Sequence, residues 1–171
     1  MRGTTLEGCP DIITPVYEKQ KSKIKTYPCH ANRASEAGHV CERYLVFART
    51  RWEEKLLYNV ELEFIFAGGR MVEKLALAEI EEAGFRLVEQ NRPFSWREFN
   101  LTGHIDAKIL IGDENAGNSI AYPLEIKGLN QFDYDKLDTI EDFIMSKKSW
   151  IKKYPAQLCL YMLMSNIEYG C

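Results

Sequence analysis

Between residues 101 and 111 apolar and polar positions alternate, with Ile105, Ala107 and Ile109 interleaving His104, Asp106 and Lys108. A period of two marks a half-buried strand, because successive side chains point to opposite faces. Strand-like runs over 85–90 and 93–99 precede it. Another, over 119–128, follows the turn Asp113-Glu114-Asn115-Ala116-Gly117-Asn118. Pro123 has no N–H to give a central ladder, which consigns its run to an edge or a bulge. Elsewhere the period is helical. Over 70–83, Met71, Leu75, Ala78 and Glu82 mark successive turns of an amphipathic helix that Gly84 stops. Residues 52–67 fit both periods; helix is favoured, with Gly68-Gly69 breaking it. A short helix is expected to bury Tyr44, Leu45 and Phe47 and to turn Arg43 and Arg49 outward. Asp138 or Thr139 caps a helix over 138–145, and Pro155 suits the first position of a helix over 155–166. Leu158, Leu160, Met162, Leu163 and Met164 cover most of that last helix and predict that it is largely buried. Residues 1–30, punctuated by glycine and proline, read as an arm or loop, and 168–171 as the start of a further strand. The order implies an α/β sheet with helices packed on it, one domain over 31–171.

Composition adds boundaries. With 46% hydrophobic residues in 171, the chain can bury a core, and no run approaches the ~18 apolar residues of a membrane helix. The first 25 residues are polar and Lys-rich with no apolar stretch, so an intracellular, cytoplasmic protein without a membrane partner is expected. The net charge of −3 hides an uneven distribution. Residues 1–55 hold ten Lys/Arg against seven Asp/Glu, while 56–106 hold five against nine and 107–171 seven against nine. Positive charge gathers near the N-terminus and in the run Lys147-Lys148-Ser149-Trp150-Ile151-Lys152-Lys153. Five scattered cysteines with no C-x-x-C pair point to free thiols. P-loop, GxGxxG, HExxH and GxSxG patterns are absent, which leaves nucleotide, dinucleotide, zincin and serine-hydrolase readings without support.

The chemistry gathers on Gly103-His104-Ile105-Asp106 and Glu125-Ile126-Lys127. Glu125 and Lys127 share a face if their run is a strand, and Asp106 joins them if the two runs pair. Asp106 and Glu125 are then candidate ligands of a hard divalent cation, with the Ile126 carbonyl as a third oxygen. Lys127 would sit beside the attacking water and stabilise developing charge. Such a cluster suits phosphodiester hydrolysis, although a glutamate and a lysine on an exposed strand face are also ordinary.

Four elements occur in one order: Gly68-Gly69-Arg70-x-x-Glu73, Gly103-x-Ile105-Asp106, Glu125-Ile126-Lys127 and Gln157-x-x-x-Tyr161. Over about residues 30–171 this set resembles the PD-(D/E)XK nuclease superfamily, in particular its RecB-like branch of phage exonucleases and CRISPR-adaptation nucleases. The resemblance implies a restriction-endonuclease-like core, a central mixed β-sheet of about four strands flanked by helices. It implies Glu73, Asp106 and Glu125 as metal ligands and Lys127 as the catalytic lysine. Gln157 and Tyr161 become the helix pair that supports the lysine and contacts DNA. Mg2+, replaceable by Mn2+, is the expected cofactor. DNA is the expected substrate, as single strands or duplex ends, with recombination or phage proteins as partners. Arg43, Lys147, Lys148, Lys152 and Lys153 are candidate phosphate contacts, a solvated face being their ordinary alternative.

The chain departs from the pattern in three places. Ile105 stands where proline often precedes the aspartate, and the first helix carries Glu73 without a histidine. Gly38-His39-Val40-Cys41-Glu42-Arg43-Tyr44 resembles the first cysteine motif of relatives that hold a 4Fe–4S cluster, but only Cys171 follows the Gln-Tyr helix. The chain is therefore cluster-free or a truncated version, and no cluster is expected. Two other readings remain open: a non-catalytic nucleic-acid-binding subunit, and an RNA-directed or tRNA-processing enzyme on the same fold.

Overall fold

The computed structural model describes residues 10–112 and 117–171; most of the predicted 113–118 turn lies outside them. The chain runs α1 (Ile13–Lys21), β1 (Asn32–Arg33), α2 (Glu42–Thr50), α3 (Val60–Glu82), β2 (Arg86–Val88), β3 (Arg92–Trp96), β4 (Leu101–Ile105), β5 (Ala107–Ile111), β6 (Ile120–Leu124), α4 (Gln131–Tyr134), α5 (Ile140–Met145) and α6 (Lys153–Ser165). The class is α/β, as expected. In place of one sheet of about four strands there are two sheets of three. In β1-β4-β3 the short β1 runs parallel to β4, while β2-β5-β6 is antiparallel throughout.

The cause is a break in the strand expected over 101–111. Arg92 faces Ile105, whereas Val88 faces Lys108. Residues 89–91 thus stand against only 106 and 107, which is a bulge. Glu89 and Asn91 adopt left-handed backbone (φ 52° and 48°) to accommodate it, and the Asn91 N–H donates to the Asp106 carbonyl at 2.9 Å. A bulge bends and twists its ladder, so the long strand leaves one sheet and enters the other at Asp106. The predicted alternation survives, for Ile105, Ala107 and Ile109 are all buried.

Each sheet has its own small core. Leu87, Ala107, Ile109 and Leu124 pack together with Leu77 and Ile80 of α3. Ala34, Ile105 and Tyr161 form the other cluster, covered by Phe94 and Leu160. Ile105 is fully buried, a contribution of about 2–3 kcal/mol.

The helices correct several expectations. Gly68-Gly69 does not break the chain: α3 is a continuous helix of 23 residues. Asn59 caps it by accepting from the Leu62 N–H at 3.0 Å. An interior glycine costs about 1 kcal/mol against alanine, and a Cβ on either Gly68 or Gly69 would meet nothing within 4 Å, so α3 carries both at that cost with no packing demand for glycine. Within the expected N-terminal arm, residues 13–21 are helical, with no buried residue; residues 1–9 lie outside the described residues. On α2, Tyr44 and Phe47 are not buried. Tyr44 stacks on His39 at 4.3 Å, and the Phe47 ring is flanked by Arg43 and Arg51. Nor is α6 largely buried. Its buried residues are Gln157 and Tyr161, and Leu163 is 61% exposed, because the small clusters accept only one face. Pro155 is its third residue, not its first.

Thr139 is the cap of α5, in a capping box with Asp142. Pro123 lies on edge strand β6, where its missing N–H leaves no ladder partner wanting. The strand foreseen over 168–171 is reduced to one parallel-type bridge. Cys171 N–H donates to the Pro123 carbonyl and Glu125 N–H to the Cys171 carbonyl, each at 2.8 Å. Among the described residues no helix is long and apolar enough to cross a membrane.

Candidate functional site

Asp106 is placed by the bulge and Glu125 by the exit from β6. Ala107 faces Leu124, so the next step along this antiparallel ladder sets Asp106 against Glu125. Asp106 Oδ2 accepts from the Ile126 N–H at 2.7 Å. Glu125, Ile126 and Lys127 lie just beyond β6 instead of within the expected strand, yet their alternation holds. Ile126 packs on the core of the β2-β5-β6 sheet, and Lys127 Nζ bonds Glu125 Oε1 on the other side.

The last helix completes the cluster. Residues four apart on a helix lie one above the other, and Gln157 and Tyr161 use that spacing in a relay. Gln157 Nε2 donates to Glu125 Oε1 at 2.6 Å and to the Tyr161 hydroxyl at 3.0 Å. That hydroxyl donates to the His104 carbonyl at 2.8 Å. Both amide hydrogens of Gln157 are therefore used. Since His104 is two residues from Asp106, and Asp106 holds the amide after Glu125, the bonds close into a ring around both carboxylates. Tyr161 fits because residue 103 is glycine. A Cβ there would come within 2.8 Å of the Ala34 Cβ and 3.1 Å of the Tyr161 hydroxyl.

One acceptor is left over. The Glu125 side chain is 4% exposed, and its Oε2 is buried with no hydrogen-bond partner. A buried unpaired acceptor is costly. Burial pushes this carboxyl up to about 7; Lys127 opposes the rise, and Asp106 and then Glu73 add repulsion. Asp106 is raised by burial against the pull of the Ile126 N–H and Lys127. Glu73 is raised by burial and by the charge of Asp106, with Lys127 again opposing. The three carboxyls thus share one electrostatic neighbourhood. Tyr161 is pushed up to about 12, mainly by burial, so it serves as a neutral donor.

Oxygen donors with one orphaned lone pair fit a hard divalent cation. Asp106, Glu125, Glu73 and the Ile126 carbonyl are the residues that would hold it. Among the described residues no three His, Cys, Asp or Glu side chains stand as a preformed ligand group. Glu125 Oε1 is engaged by Lys127 and Gln157, and Asp106 Oδ2 by an amide.

The candidate phosphate contacts divide. Lys148 Nζ is clamped on both oxygens of Asp133, at 2.6 Å each, and Lys153 Nζ on Glu36 at 2.9 Å. Arg43 rests over the Phe47 ring at 5.1 Å, Lys147 is exposed and Lys152 half-buried. The cation run is therefore partly structural, holding α4 and the turn after β1 to the start of α6. Sequence reasoning missed Tyr154, over whose ring Lys127 Nζ sits at 5.4 Å. Its position three residues before Gln157 on the same helix was an available signal. Phe94, edge-on to Tyr161 at 4.8 Å, had no such signal.

No protein-family model, curated protein or solved structure matches the chain.

Proposed function

We propose that the chain is a divalent-cation-dependent deoxyribonuclease on a restriction-endonuclease-like core of the PD-(D/E)XK type, RecB-like branch. It acts on DNA ends or single strands in recombination, repair or phage DNA metabolism. One observation carries the reading. Glu125 is buried beside Asp106 with one oxygen engaged by Lys127 and Gln157 and the other without a partner. An isolated structural ion pair has no use for that second oxygen, whereas a ligand to a cation does. Bound there, Mg2+ or Mn2+ neutralises phosphate charge and lowers the pKa of water at the site.

The residues then divide the work. Asp106 and Glu125 are the principal ligands, with Glu73 contributing from α3. Lys127 stands next to Glu125 and supplies positive charge where the phosphodiester gains negative charge. Gln157 fixes the orientation of Glu125, and Tyr161 fixes Gln157; both are positioning residues on this account. Asp106→Ala and Lys127→Ala are expected to fold and to lower Mg2+-dependent cleavage of labelled single-stranded and linear duplex DNA by about 10^2–10^3-fold or more. Cleavage at the wild-type rate by either variant would refute the assignment.

The Glu125–Lys127 bond and the absence of a preformed ligand group among the described residues favour a second reading, a non-catalytic nucleic-acid-binding subunit. Undiminished DNA binding in EDTA, with no cleavage under Mg2+ or Mn2+, would establish it.

A further inference from the structure

The excess positive charge of the first 55 residues has a structural destination. A cavity of about 350 Å3 opens between the segment after α1, the face of α2 and the segment leading to α3. Four rings, Tyr27, Tyr44, Trp52 and Tyr58, and three cations, Lys25, Arg33 and Lys55, line it. Three of the rings are held in place: His30 is edge-on to Trp52 at 6.0 Å, Tyr44 stacks on His39, and the Tyr58 hydroxyl is bonded to Glu63 at 2.8 Å. Lys25 Nζ lies over the exposed Tyr27 ring at 5.3 Å. The carboxylate in the wall, Glu36, is already neutralised by Lys153, so the cations outweigh it. Rings that accept a flat apolar face, set among cations that accept anions, are the chemistry of a nucleotide.

We propose that this cavity binds an unpaired nucleotide of a DNA single strand, its base against the rings and the adjoining phosphates on Lys25, Arg33 and Lys55. The inference rests on the nucleic-acid reading of the carboxylate site and narrows its substrate to a strand with exposed base faces. A duplex hides those faces inside its stack. Position supports continuity between the sites. Leu101, the first residue of β4, lines the cavity, and Asp106 follows the last. Five residues of strand span about 17 Å at ~3.3 Å each, so a single short strand joins the two sites.

The test measures binding of fluorescein-labelled (dT)12 to the full chain by anisotropy, in EDTA so that cleavage does not enter. Three phosphate contacts at ~0.7 each predict a log–log salt slope of about −2. Lys25 and Lys55 are both exposed, so the double variant Lys25→Glu/Lys55→Glu should keep its Tm. It should bind at least tenfold more weakly, with the slope flattened to less than half. Trp52→Leu should weaken binding about tenfold and leave the slope unchanged. Binding by the lysine double variant within twofold of wild type overturns the proposal, as does a (dT)12·(dA)12 duplex that binds equally well and is equally sensitive to Trp52→Leu. If the variants behave as expected but no cleavage is seen with Mg2+ or Mn2+, the nuclease reading fails and the cavity stands. If the chain cleaves DNA but the cavity variants leave (dT)12 binding unchanged, the cavity proposal fails and the nuclease reading stands.

Discussion

Glu125→Gln separates the cost of the site from its use. The carboxyl ionises near 4.5 when unperturbed and is pushed up to about 7 in the folded chain, chiefly by burial. For an acid whose folded pKa is raised, stability is fully present below 4.5, falls as pH rises through the window to about 7, and stays lost above it. At ~1.36 kcal/mol per pH unit the penalty above pH 7 is about 3 kcal/mol. Glutamine has the same shape, carries no charge and keeps an oxygen for Gln157 and Lys127. In EDTA the variant should therefore match wild type at pH 4 and be more stable at pH 8. For a chain of this size 1 kcal/mol moves Tm by about 2–4 °C, so the gain is about 6–12 °C, nearer the lower end because Lys127 loses its counter-charge. Thermal melts followed by circular dichroism at both pH values measure it. An equal Tm difference at pH 4 and pH 8, or a variant less stable at pH 8, would show that the buried charge is not what destabilises this site. On the proposed nuclease reading the stabilised protein should cut no DNA, an exchange of stability against function.

Further outcomes follow from the same geometry. Mg2+ at about 100 times its Kd should stabilise wild type by about 2.7 kcal/mol and Glu125→Gln by far less, with EDTA reversing the effect in a thermal-shift measurement. Gly103→Ala places a methyl 2.8 Å from Ala34 and 3.1 Å from the Tyr161 hydroxyl; it should cost about 1–3 kcal/mol in urea melts and slow cleavage by displacing Tyr161. Tyr161→Phe removes the bond to the His104 carbonyl and should cost about 1–2 kcal/mol. Because Tyr161 acts through Gln157, that change should alter kcat and leave DNA binding in EDTA intact.

The alternation of Ile105, Ala107 and Ile109, the order of the strands and the Gln157/Tyr161 spacing were all readable as periodicity, and periodicity is what burial imposes on a regular element. The six residues so ordered, from Glu73 to Tyr161, do meet in one neighbourhood. The bulge at 89–91 escaped because it depends on Glu89 and Asn91 adopting left-handed backbone, and glutamate there carries no turn signal. Gly68-Gly69 read as a stop because propensity is local, whereas α3 runs through both glycines without a break. The partners of Lys148 and Lys153 are Asp133 and Glu36, and no spacing rule joins residues so far apart. Nor could α6 reveal which apolar residues its small cluster would leave in solvent.

The break at Asp106 carries one more consequence. Ile105 belongs to the cluster under one sheet and Ala107 to the cluster under the other, so the aspartate is the single residue between two separately packed halves. Glu73, Glu125 and Lys127 arrive from the second half, Gln157 and Tyr161 from the first. A chain with only one half formed holds at most part of the cluster, and a shear between the halves breaks the Gln157–Glu125 bond that joins them. The ring of bonds around the carboxylates therefore closes only when both halves are folded and docked.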